Sequence, residues 1–127
     1  MTKIKKNKYI VVTGGAGFVG SNLINELIKI KNIKVISIDN YSSGSVKNHI
    51  KSIKVKYLRS NTKDISKILK NYKKKISAIF HFGEFSRIYQ SFIKFDQCFA
   101  SNTIGSNAVF KFCLDNNIKL IYSATSA

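Results

Sequence analysis

No apolar run in this sequence approaches the roughly 20 residues that a membrane-spanning helix requires, which argues against a membrane role. Cysteine is almost absent. Cys98 and Cys113 cannot make a disulfide framework, and if both sit in one long helix they cannot face each other. Neither has a second Cys or His at ligand spacing, so no metal site is expected. The two thiols read as small buried apolar side chains. Acidic residues are few: 6 against 22 basic residues, for a net charge of +16. Arginine is scarcer still, with only Arg59 and Arg87, although it is the residue that reads phosphates and bases bidentately. The lysines are spread along the chain, and Lys73-Lys74-Lys75 is the only triplet. Lys, Ile and Asn share A/T-rich codons, so a compositional bias of the genome suffices to explain the charge. A specific nucleic-acid partner is not expected, although anionic ligands will be attracted. Repeats, linkers and low-complexity segments are also lacking.

What remains is a chain of 127 residues with 44% hydrophobic content, enough for one domain with its own core. The segment Met1 to Lys8 is basic and polar, and Tyr9 to Val12 is too short for a signal-peptide core, so a cytoplasmic, unprocessed protein is expected. Strand and helix patterns alternate. Tyr9–Val12 is an apolar run ending in glycines, as in a buried parallel strand. Phe18, Val19, Leu23, Ile24, Leu27 and Ile28 fall at helical spacing. Ile33–Ile38 predicts a second strand, and the polar loop Tyr41–Ser45 follows. Ile53, Val55 and Tyr57 alternate with lysines, as in a strand near a sheet edge. Ile65, Ile68, Leu69 and Tyr72 predict a short helix with Asp64 placed to cap it or complement its dipole. Ile76–Phe82 is a fourth strand and Ile118–Tyr122 a fifth, separated by a helix from about Phe95 to Leu114 with a broad apolar face. This order predicts an α/β fold of the Rossmann type: a doubly wound parallel sheet in three α/β/α layers, breaking off after about five strands.

The chemistry begins at Thr13-Gly14-Gly15-Ala16-Gly17-Phe18-Val19-Gly20, between the first strand and the first helix. Gly14 permits a tight turn, Gly17 lets the backbone approach a pyrophosphate, and Gly20 lets the helix pack closely on the sheet. The helix N-terminus offers free N–H groups and partial positive charge to the phosphates. A glycine triplet alone is equally an ordinary strand–helix turn. The acid that follows makes the difference. Asp39 ends the second strand about 20 residues on, where a carboxylate accepts from the adenosine ribose. It would repel a 2′-phosphate, which favours NAD over NADP.

Thr-Gly-Gly-Ala-Gly-Phe-Val-Gly-Ser at 13–21 and Ile-Asp-Asn-Tyr-Ser-Ser-Gly at 38–44 resemble the extended short-chain dehydrogenase/reductases. Within them, the match is to the NAD-dependent epimerase/dehydratase family, typified by UDP-glucose 4-epimerase, over essentially the whole chain. Leu58 to Asp64 resembles the segment that holds adenine, with Asn61 where the family usually has Asp. Phe80-His81-Phe82-Gly83-Glu84 resembles a segment lying along the cofactor, where Glu84 replaces a small residue and His81 is a structural strand-end histidine. Ser91 and Asn102-Thr103-Ile104-Gly105-Ser106 resemble the family's serine and its long-helix motif, in which Gly105 lets the helix lie close to its neighbours. Tyr122-Ser123-Ala124-Thr125-Ser126 resembles the strand end beneath the nicotinamide.

The resemblance implies NAD as cofactor, contacted by Gly14, Gly17, Phe18, Val19, Gly20, Asp39, Asn40, Ser42, Ser43, Gly44, Asn61, Thr62, Phe82, Gly83, Glu84, Ser86, Asn102 and Ser123. It places Thr125 as a catalytic hydroxyl bonded to the sugar oxygen that becomes a ketone; a merely polar strand end is the rival reading. It also implies a nucleotide-sugar substrate in a full-length parent and, commonly, a homodimer.

The family's base is a Tyr paired with a Lys four residues later. Here Tyr41 is followed at that spacing by Ser45, Tyr72 by Ile76 and Tyr89 by Ile93. Residues 1–127 therefore read as an NAD(P)-binding Rossmann domain without its substrate-binding region, inactive by itself. A non-catalytic dinucleotide-binding module is the alternative. If the charge is compositional, DNA binding should be weak, nonspecific and steeply salt-dependent. A sequence preference that survives physiological salt in a competition assay would overturn that reading.

Overall fold

Runs rich in β-branched residues become parallel strands because such side chains pack well on a pleated surface. The computed structural model describes residues 8–84 and 93–123. Its strands are β1 (Lys8–Thr13), β2 (Ile33–Asp39), β3 (Val55–Arg59), β4 (Ile76–His81) and β5 (Lys119–Tyr122). They form one sheet in the order β3-β2-β1-β4-β5, every pair parallel. The helices are α1 (Phe18–Leu27), α2 (Ile65–Ile68), α3 (Phe95–Phe99) and α4 (Ser106–Asp115). The last two are joined by a π-helical turn, Ala100–Gly105.

Alternating side chains give the sheet two apolar faces. Ile10, Val12 and Val35 meet Ile24 and Leu27 of α1 on one. Val11, Ile36, Ile38 and Ile79 meet Ile65, Leu69, Val109, Phe112 and Cys113 on the other. Each such aliphatic side chain contributes about 1.5–3 kcal/mol on burial. The expected three-layer Rossmann-type architecture is observed. The chain leaves β1 towards β2 and later returns to β4 on β1's other side. Where strand order reverses in this way, the carboxyl ends of the strands open a crevice.

Several local expectations need correction. Ile53 lies outside β3 and is fully exposed, because the chain reaches the sheet only at Val55. The lysine beside it closes off the first helix. Lys54 Nζ donates to the carbonyls of Ile28 and Ile30, at 2.5 and 2.7 Å, where that helix ends. Asp64 closes a 3-10 turn (Thr62–Asp64) ahead of α2, and its side chain makes no capping bond. Its backbone lies outside the extended region from which a capping carboxylate folds back. Cys113 is buried, and burial pushes its thiol up to about 11, but Cys98 is only half-buried because α3 stands off the sheet. The apolar face of the long helix is divided likewise: Val109 and Phe112 are in the core, whereas Phe95 and Phe99 stack on each other in the open.

Gly105 explains how the start of α4 lies close against the turn at Thr62–Asp64. A Cβ there would fall on Thr62 Oγ1. Replacing a helical glycine by alanine ordinarily stabilises by about 0.5–1 kcal/mol. Gly105→Ala should instead lower the urea midpoint, and adding Thr62→Ala should recover the loss, since the Thr62 hydroxyl is the obstacle. Additive losses in that double-mutant cycle would show that the close approach does not set the packing.

Candidate functional site

The parallel registers align the carboxyl ends of the strands. Thr13 pairs with Ile38 and His81, Asp39 with Arg59, and His81 with Tyr122. Above them lies a cleft of about 890 Å³. Its floor is the glycine turn. Gly14 has φ +73°, its N–H bonds Ile38 O at 2.7 Å, and Gly17 N–H closes the turn onto Gly14 O at 3.1 Å. A Cβ on Gly20 would collide with the Gly14 carbonyl and Gly15, so Gly20 lets α1 pack against the turn rather than against the sheet. No side chain caps the N-terminus of α1 and no acid occupies its first turn. Its partial positive charge is therefore left facing the cleft.

Asp39 stands beside this turn and ties it down. Oδ2 accepts from Ala16 N–H at 3.0 Å and Oδ1 from Tyr41 N–H at 2.8 Å, and each oxygen keeps a lone pair for another donor. The loop after β2 closes over the same residue: Ser45 N–H and Asn48 Nδ2 both donate to Ala16 O, at 3.0 and 2.8 Å. Behind the loop, Tyr41 Oη pairs with His49 Nε2 at 2.7 Å and the His49 ring stacks on Tyr57 at 3.7 Å. The Arg59 guanidinium covers the Tyr41 ring at 4.3 Å. Tyr41 adopts φ +61° within this assembly. Burial and the neighbouring Asp39 raise its phenol above the ordinary range. Asn40 Nδ2 donates to Asn61 Oδ1 at 3.1 Å, which links the loops after β2 and β3.

The other end of the cleft is organised by a directed hydrogen-bond chain. Thr13 Oγ1 is buried and accepts from Phe82 N–H and Gly83 N–H, at 3.0 and 2.9 Å. Its own proton therefore goes to His81 Nδ1, at 2.6 Å. That makes His81 the Nε2–H tautomer, assigned from its partners, and Nε2–H donates to Ser106 Oγ at 2.8 Å. Ser106 must then donate onward, and does so to Glu84 Oε2 at 2.5 Å. The Tyr122 hydroxyl donates to the same carboxylate at 2.9 and 3.1 Å. Hydrogen bonding to Glu84, with some burial, raises the Tyr122 phenol, so it remains a donor. Burial lowers His81 and the Glu84 charge opposes that.

The sequence profile of the NAD dependent epimerase/dehydratase family matches residues 10–127. The chain belongs to that family. The bifunctional protein GAL10 of Candida maltosa is 32% identical over 127 residues, spanning 92% of this chain and 80% of that relative. UDP-glucose 4-epimerase of Lactobacillus helveticus is 32% identical over 93% of this chain but only 36% of its own length. A solved UDP-N-acetylglucosamine 4-epimerase from Methanobrevibacter ruminantium, in complex with UDP-N-acetylmuramic acid, superposes with a TM-score of 0.82 at 32% identity. That match takes in 96% of this chain and 39% of the other.

In this family member the residues singled out from sequence converge. Gly14, Gly17, Phe18, Val19, Gly20, Asp39, Asn40, Ser42, Ser43, Gly44, Asn61, Thr62, Phe82, Gly83, Glu84, Asn102 and Ser123 all line the cleft. Ser86, Ser91 and Thr125 lie outside the described residues. The wall also includes Asn48, Lys63, Gln97 and Ser101, which sequence reasoning missed. Thr13 and Ser106 were missed as partners of His81, although a buried histidine between two hydroxyl residues is a signal that a paired strand register could have supplied. Among the described residues no group of His, Cys, Asp and Glu could hold a metal ion.

The buried His81 has a consequence for stability. Its folded-state value lies below the ordinary 6.5, so below that pH the unfolded chain takes up a proton that the native one resists. Stability contributed by neutral His81 is complete above pH 6.5 and falls as pH drops towards the depressed value. The slope is at most about 1.4 kcal/mol per pH unit. Urea titrations between about pH 5 and 7 should show a shallower acid loss in His81→Gln than in the parent. Equal slopes would mean that His81 titrates alike folded and unfolded.

Proposed function

We propose that this chain forms the NAD-holding part of a nucleotide-sugar epimerase or dehydratase. The observation that carries the reading is Asp39, a cleft-facing carboxylate locked to the glycine turn by Ala16 N–H. A dinucleotide fits the donor set. Gly17 opens to the cleft, with only Gly14 O at 3.3 Å near a built Cβ, and the uncapped N-terminus of α1 suits a pyrophosphate. Asp39 would accept from the adenosine ribose. Asn61 and Thr62, with Asn40, Ser42, Ser43 and Gly44 alongside, would hold the adenosine half. Asn61 Oδ1, already bonded to Asn40, keeps one lone pair for the adenine amino group. Phe82, Gly83, Glu84, Asn102 and Ser123 would flank the other half, and Ser86 belongs to the same proposed set.

NAD, when bound, supplies a hydride acceptor for a sugar carbon. The protein's part is orientation and exclusion of water, with Thr125 as the hydroxyl proposed to bond the sugar oxygen. The chain spans 36% of the Lactobacillus enzyme and 39% of the Methanobrevibacter one, so the activity, the sugar and the partner belong to this proposal. Among the described residues no helix is long and apolar enough to cross a membrane. A cytoplasmic location and a homodimer complete the reading.

Asp39→Ala removes both the proposed ribose acceptor and the anchor of the turn, so the informative quantity is a ratio. Calorimetry should give roughly 10- to 100-fold weaker NAD binding and a narrower preference over NADP. Equal affinity for the two dinucleotides in the unmutated chain would sink the assignment of Asp39.

A further inference from the structure

Three charged side chains line the cleft among the described residues: Asp39, Lys63 and Glu84. Asp39 ends β2 and Lys63 follows β3, both on one side of the glycine turn. Glu84 stands alone on the far side, just beyond β4. It is also held unusually firmly for a half-exposed residue. Ser106 and Tyr122 both direct their protons at its carboxylate, at 2.5 and 2.9 Å to Oε2. Ser106 cannot turn away, because His81 Nε2–H occupies its acceptor side and His81 is itself oriented by Thr13. Four side chains from four separate parts of the chain thus serve to present one negative charge to one end of the cleft. Sheet closure at this point is already supplied by Thr13 with Phe82 and Gly83 N–H.

We infer that Glu84 makes the cleft discriminate between the two oxidation states of the dinucleotide, holding the oxidised form in preference to the reduced one. The inference rests on the NAD reading above. A dinucleotide with its pyrophosphate at the α1 N-terminus and its adenosine at Asp39 must send its nicotinamide half towards the Glu84 end. The oxidised ring carries a positive charge and the reduced ring is neutral. A fixed carboxylate in a partly water-excluded cleft attracts the first and is indifferent to the second. Its orientation costs nothing on binding, because Ser106 and Tyr122 hold it beforehand. Glu84 is a positioning and selectivity residue here and takes no part in bond making.

The test is binding to the whole chain, followed by calorimetry with NAD+, NADH and ADP-ribose, which lacks the ring. Glu84→Gln should weaken NAD+ on the order of tenfold, and leave NADH and ADP-ribose within about twofold. Glu84→Ala, which also releases Ser106 and Tyr122, should change the NAD+ to NADH ratio in the same direction and serves if the glutamine variant folds poorly. Parallel losses for all three ligands would assign Glu84 a purely structural role and overturn the inference. An unchanged ratio with ADP-ribose still bound would overturn it too, while leaving the dinucleotide reading intact. If the parent binds none of the three ligands, the dinucleotide reading itself fails and this inference falls with it.

Discussion

The Thr13 hydroxyl sits where β1 and β4 end, sealed from solvent, and three polar neighbours bond to it. Two are backbone N–H groups of the segment leaving β4, and the third is an imidazole nitrogen with no route to water. Phe82 N–H has a second acceptor in the Thr13 carbonyl, at 3.1 Å, whereas leaving Gly83 N–H or the imidazole nitrogen unsatisfied would cost about 1–3 kcal/mol. Only a side chain that accepts twice and donates once meets all three, and at this size threonine or serine can do so. Once that requirement is met, much else is determined. Phe82 and Gly83 are drawn back over the strand end, and a Cβ on Gly14 would then meet Phe82 O at 2.8 Å. The His81 tautomer is chosen, and through it the direction in which Ser106 points its proton.

Asp39 plays the matching part on the other side. A carboxylate that served only a ligand would be free to swing; here one oxygen is committed to the glycine turn and the other to the start of the next loop. The proposed ribose acceptor is therefore also an architectural tie. The stack of Tyr41, His49 and Tyr57 under Arg59 backs this arrangement from outside the cleft. It allows a left-handed backbone at Tyr41, which a bulky residue otherwise avoids.

Most of the fold is legible in the sequence because its signals are local. Glycine spacing, an acid at the end of the second strand and alternating apolar periods lie within short windows, and the elements appear where those windows place them. Ile53 misleads because alternation alone does not say where a strand meets its neighbour. Many residues that face the common crevice are also legible, since they lie at strand ends or in the glycine turn. What is hidden is pairing at a distance. Thr13 reads as the last residue of a strand, and its partners Phe82 and Gly83 lie beyond five intervening strands and helices. His49 carries no local signal at all, since its role exists only once β3 has brought Tyr57 beneath it. Gly20 is recognisable as a packing glycine, but the surface it packs on, the turn and not the sheet, follows from the path of the chain.

The π-helical turn at Ala100–Gly105 widens one coil of an otherwise continuous helical rod. One added residue rotates everything beyond it by about 100° about the axis. Gln97, Cys98, Ser101 and Asn102 consequently look into the cleft, whereas Val109, Phe112 and Cys113 look into the core. In a regular helix those two stripes would share a single angular setting, so adjusting one would misalign the other. The wide coil works as a phase shifter. The wall of the cleft can be retuned for a different ligand while the half of the rod that grips the sheet keeps its own register.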